Sequence, residues 1–147
     1  MRNKWAELPR LNVARQRPGS ILLRSDRAFS FCGYDSVYFR SIEKLETTRR
    51  EWQILPINYE VWKTYNLAAV SYLNKIFLFG GESTCYMNEF SEEGELKKDL
   101  SGDSLIPGFM STGSYLVYEG KLFAASYLEY QNFWHIKSFD GKKWSFL

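Results

Sequence analysis

Four segments of the chain end alike: Trp5-Ala-Glu-Leu8-Pro9, Trp52-Gln-Ile-Leu55-Pro56, Lys97-Lys-Asp-Leu100 and Trp144-Ser-Phe-Leu147. Their leucines stand at intervals of 47, 45 and 47 residues. A second landmark keeps the same period. Arg27-Ala-Phe-Ser-Phe-Cys-Gly33, Lys75-Ile-Phe-Leu-Phe-Gly-Gly81 and Lys121-Leu-Phe-Ala-Ala-Ser-Tyr127 begin 48 and 46 residues apart. A repeat of this length is one supersecondary unit. It cannot bury its apolar surface alone and has to stack on its neighbours.

The best-preserved copy of the landmark lies in Ala68–Gly81. Ala69, Ser71 and Leu73 alternate with Val70 and Tyr72, and Ile76 and Leu78 face away from Phe77 and Phe79. Period-two alternation of β-branched and aromatic residues predicts strands, and the two-residue break at Asn74-Lys75 predicts a hairpin. Each unit then accommodates four strands. The first is expected at Ser20–Arg24, Ala68–Leu73 and Gly113–Tyr118, and the second at Arg27–Gly33, Lys75–Gly81 and Lys121–Tyr127. The third falls at about Ser41–Glu46, Tyr86–Ser91 and Trp134–Phe139, and the fourth carries the tryptophan or, in the middle unit, Lys97. Turn-forming residues separate them.

Apolar strand, turn, apolar strand closing on glycine, a third strand and then Trp-x-x-Leu-Pro is an order that resembles the kelch repeat. Gly80, Gly81, Trp5, Trp52 and Trp144 carry the resemblance, along with Asp140-Gly141-Lys-Lys-Trp144, and Gly33 is the repeat landmark of the first unit. Cys32-Gly33 and Ser126-Tyr127 replace the glycine pair in the outer units. The resemblance implies an all-β chain of kelch-like β-propeller blades. Three four-stranded antiparallel blades are expected at about residues 15–56, 60–100 and 108–147, with residues 1–10 as a stray outer strand of a preceding blade. Propellers typically need four to eight blades. Three blades and one strand make a partial ring, completed by additional blades or by another subunit. A head-to-tail pair of chains reaches six blades but carries two surplus outer strands.

Kelch-like propellers bind partners on the rim formed by the loops that join the fourth strand to the next first strand and the second strand to the third. Carried onto this chain, those loops hold Arg15, Arg17, Tyr34, Tyr38, Tyr59, Trp62, Tyr65 and Tyr130. Arginine, tyrosine and tryptophan dominate interface energies through contact area and forked hydrogen bonding. The same aromatics also suit ordinary packing between blades.

Composition narrows the function classes. The aromatic fraction of 18% favours a β-rich core, and a formal net charge of +2 gives no strong steering towards nucleic acid or an anionic membrane. Residues 1–27 are locally basic, with seven basic residues against Glu7 and Asp26. No apolar run approaches the roughly 18–20 residues of a membrane span, and the N-terminus lacks the apolar core of a secretory signal. Cys32 and Cys85 have no metal-like spacing and read as free thiols, which points to a reducing, cytoplasmic setting.

His135 is the single histidine, and it has no nameable catalytic partner. Asp140-Gly141 lacks the intervening residue of a sialidase Asp-box and reads as a turn. The expectation is a non-catalytic protein–protein interaction module without cofactor or metal. The alternatives are a structural portion of a larger assembly and a fragment of a propeller enzyme. A copper oxidase of that fold needs several His and Tyr ligands, which one histidine does not supply.

Overall fold

A computed structural model describes residues 7–23, 26–35, 37–38, 41–46, 48–56, 67–80, 87–99, 114–128 and 133–147. These residues are all-β, and no helix occurs among them. Sheet I consists of β1 (Gly19–Leu23), β2 (Arg27–Phe31), β5 (Ile42–Glu46) and β6 (Glu51–Ile54), in that order. A small hairpin, β3 (Tyr34–Asp35) with β4 (Val37–Tyr38), lies between β2 and β5. Sheet II runs β7 (Leu67–Tyr72), β8 (Lys75–Gly80), β9 (Met87–Phe90) and β10 (Leu96–Asp99). Sheet III runs β11 (Ser114–Tyr118), β12 (Lys121–Leu128), β13 (Phe133–Phe139) and β14 (Trp144–Phe146). All neighbours are antiparallel, and no sheet closes on itself.

The three sheets share one strand order and meet face to face, with sheet II in the middle. On β8, Ile76 and Leu78 pack with Leu23, Phe29, Phe31 and Ile42 of sheet I. The alternate residues Phe77 and Phe79 pack with Leu122, Ala124, Phe139 and Trp144 of sheet III. Strand alternation therefore feeds two separate cores from one strand, which is why the run is apolar throughout. The first strands lie side by side, β7 next to both β1 and β11. Gly19 is needed there, because a Cβ at that position would sit 3.0 Å from Leu67 Cβ.

The turns interlock too. Arg27 Nη1 donates to the Glu92 carbonyl across sheets I and II (3.3 Å), and Tyr72 Oη donates to the Gly120 carbonyl across sheets II and III (2.7 Å). Gly94, with φ +89°, presses its α-carbon against Leu55 and Phe29 of sheet I, where any side chain would collide.

Two expectations shift. The β7–β8 turn falls at Leu73-Asn74, one residue before the anticipated Asn74-Lys75, with Tyr72 opposite Lys75. Both turn residues take positive φ (50° and 58°), the backbone hand that matches strand twist in a two-residue hairpin. The anticipated outer strand Trp5–Pro9 is not a strand in its described part, Glu7–Pro9. Pro9 has no N–H to give a ladder, and the chain beyond it is tied to sheet I through its amides. Trp5 and Gly81 lie outside the described residues.

Phe77 is buried between sheets II and III, with its ring 5.6 Å from that of Phe139. Truncation to Ala removes aromatic contacts from a site walled by two sheets. Phe77→Ala is expected to lower unfolding stability by about 3–5 kcal/mol, read from urea denaturation with an unchanged slope.

Candidate functional site: the loop end of sheet I

The part of the anticipated rim that the structure describes belongs to sheet I. Residues 11–18 lead into β1, and the β3–β4 hairpin leaves β2. The two are stitched together by an isolated bridge, with Gln16 N donating to Tyr34 O (2.7 Å) and Tyr34 N donating to Gln16 O (3.0 Å). Cys32 and Gly33 turn the chain out of β2 with φ of +54° and +107°. A Cβ on Gly33 would stand 3.0 Å from the Gln16 carbonyl oxygen. Glycine is required here both by the backbone hand and by the close approach of residues 15–16.

Beneath this surface lies a polar centre. Glu43, in β5, is wholly buried and accepts four hydrogen bonds. Oε2 receives Asn12 N (2.7 Å) and Asn12 Nδ2 (3.0 Å); Oε1 receives Val13 N (3.1 Å) and Arg15 Nη2 (2.6 Å). Arg15 also donates to the Cys32 and Ser41 carbonyls (2.8 and 3.0 Å) and to Ser41 Oγ (2.8 Å). Both charged side chains are 0% exposed. A buried ion pair persists only when its remaining donors and acceptors are satisfied, and this one has its fork filled. Asn12 Nδ2 continues to the Trp52 carbonyl (2.7 Å), and Trp52 Nε1 donates to Pro9 O (2.9 Å). Residues 7–16 are thus tied down over the outer face of sheet I.

The anticipated contact residues therefore separate. Arg15, placed in a rim loop by the spacing, has its guanidinium enclosed and serves the scaffold. Arg17 and Tyr34 are exposed at the loop surface. Tyr38 pairs in register with Tyr34 across the hairpin. Tyr59, Trp62, Tyr65 and Tyr130 lie outside the described residues, as does Cys85. His135 sits on β13 with its ring 5.9 Å from that of Phe146. Trp144 is buried, with Nε1 on the Met87 sulfur (3.4 Å) and its ring edge-on to Phe79, so it spans sheets II and III.

A signal for Glu43 does exist. Glu43, Asn88 and Lys137 occupy one register position in the third strand of each sheet, two residues before Leu45, Phe90 and Phe139. All three are buried, and the register sets them on the sheet face that looks towards the preceding element. No protein-family model and no curated protein matches the sequence.

Two outcomes are expected. Arg15→Met leaves the Glu43 carboxylate buried without its cation and is expected to cost about 3–5 kcal/mol in chemical denaturation. Arg15→Lys does not restore this, because a lysine cannot reproduce the fork. The second concerns Cys32, whose thiol burial pushes up to about 12, against the weaker opposing pull of the Arg15 guanidinium. The folded state holds this proton more tightly than the unfolded chain, so its contribution to stability is intact below the free-thiol value of 9.0 and is lost as pH rises towards 12. Alkylation at pH 8 mapped by mass spectrometry is expected to spare Cys32 in the native protein, with roughly a thousandfold less thiolate than a free cysteine, and to label it in denaturant.

Proposed function

We propose that the chain is a non-catalytic protein-binding module of kelch-like propeller blades, with the loop end of its sheets as the contact surface. The observation that carries this reading is the Gln16–Tyr34 stitch above the Arg15–Glu43 pair. It makes two loops from different parts of the chain into one surface and fixes them on a buried anchor. Pre-ordering of that kind lowers the entropy lost when a partner binds. Arg17 and Tyr34 stand on that surface and supply a planar cation and a rigid aromatic ring, the groups that most often anchor protein interfaces. The cytoplasm is the setting consistent with a thiol held in the core.

A second reading is favoured by a separate observation. The outer face of sheet III is apolar and exposed, including Leu116, Tyr118 and Ile136. A propeller portion completed by additional blades or by another subunit has such a face.

The binding reading is tested by affinity capture and quantitative binding with the whole chain and an Arg17→Ala/Tyr34→Ala variant. Both positions are exposed, and a melting temperature matched to that of the unaltered chain is the control for folding. Affinity for the captured partner is expected to fall tenfold or more, on the order of a hot-spot loss. A partner bound equally well by the variant would place the contact elsewhere.

A further inference from the structure

We infer that the outer face of sheet III is an interface for the outer face of sheet I in a second copy of this chain, two copies making a six-sheet ring. This rests on the blade reading above. The first observation is the repeat register. Leu116, Tyr118, Phe123 and Ile136 of sheet III take the places held by Ile21, Leu23, Phe29 and Ile42 in sheet I, and by Val70, Tyr72, Phe77 and Met87 in sheet II. The sheet I and sheet II sets pack into the two cores, with Ile42 and Met87 at 0% and 1% exposure. Their sheet III counterparts Leu116, Tyr118 and Ile136 are 61%, 59% and 50% exposed. The pattern that builds two sheet-to-sheet contacts is thus present a third time, uncovered.

Within the chain, each such face is received by the opposite face of the next sheet. The one remaining receiving face among the described sheets is the outer face of sheet I. Residues 7–16 cover its β5 side, where Ser30, Glu43 and Leu45 are buried, and the part along β1 and β2 stays open as an apolar groove lined by Leu8, Leu11, Pro18, Leu22, Ala28 and Trp52, with Leu22 prominently exposed. Continuity of the I–II and II–III contacts therefore selects sheet I of another copy.

The surplus strand that stands against a two-copy ring is removed in its described part, since residues 7–9 are not a strand and the segment folds onto sheet I. Two copies related by a two-fold axis make the contact twice and leave no open face among the described sheets. Six sheets fall within the range in which propellers close.

The test is sedimentation equilibrium of the full chain at about 100 µM, where an interface of ordinary size is populated. The expected species has twice the chain mass. Leu116→Lys/Ile136→Lys, on sheet III, and Leu22→Lys, on sheet I, are each expected to weaken self-association at least tenfold while melting as folded proteins. Mixing the two variants leaves one contact of the pair unaltered, so a mixed dimer tighter than either variant alone is expected. A wild-type monomer at that concentration overturns the inference and leaves the rim reading intact, because that reading is tested by partner affinity. A dimer weakened by the sheet III changes alone, with no recovery on mixing, also overturns it, since that pattern belongs to two sheet III faces packed on each other.

Discussion

Burial of both faces of β8 is the constraint on which the rest of the molecule depends. Ile76 and Leu78 can leave water only if sheet I is present, and Phe77 and Phe79 only if sheet III is present. Each such side chain contributes about 1.5–3 kcal/mol on full burial. Neither neighbour is optional, because sheet II with only one of them would expose one of these rows. The cross-sheet turn contacts, Arg27 to Glu92 and Tyr72 to Gly120, lock the stacking at the turn end. Gly19 allows β1 and β7 to approach at the first-strand edge.

Much of this architecture is legible in the chain itself. A period near 47 residues, read from the tryptophan–leucine segments and the basic-apolar strands, places the strands of all three four-stranded sheets to within a residue or two. The alternation in β8 also announces two buried faces, since neither of its rows is polar. Turn position is less legible. Asn74 favours a turn, but positive φ at Leu73 comes from the register of Tyr72 opposite Lys75, which residue preferences do not reveal. The path of residues 7–14 escapes altogether. Its backbone amides go to a glutamate some thirty residues away, and a carboxylate capturing main-chain donors leaves no periodic mark.

The same non-local bonding reassigns Arg15. On spacing alone it stands in a loop beside Arg17, and nothing local distinguishes a surface arginine from one that forks into a buried glutamate. The recurring polar residue at Glu43, Asn88 and Lys137 is the clue, because a buried polar group needs a partner and this register position lies on the sheet face that looks towards the preceding element. In sheet I that partner is the segment leading into β1. The loop end of the sheet is consequently a rigid surface built over a satisfied polar centre, and this is what suits it to recognition. At the opposite extreme of the stack, sheet III carries an apolar row with the same register as the rows buried inside.

Native-state hydrogen exchange tests the two-sided burial of β8 most directly. The amides of Phe77 and Leu78 are expected to be among the slowest in the chain and to exchange only through global unfolding, with a denaturant dependence equal to that of the whole protein. The outer strands β6 and β14 exchange earlier, through local opening. Exchange of the β8 amides at the rate of those outer strands, with a shallow denaturant dependence, would contradict the account.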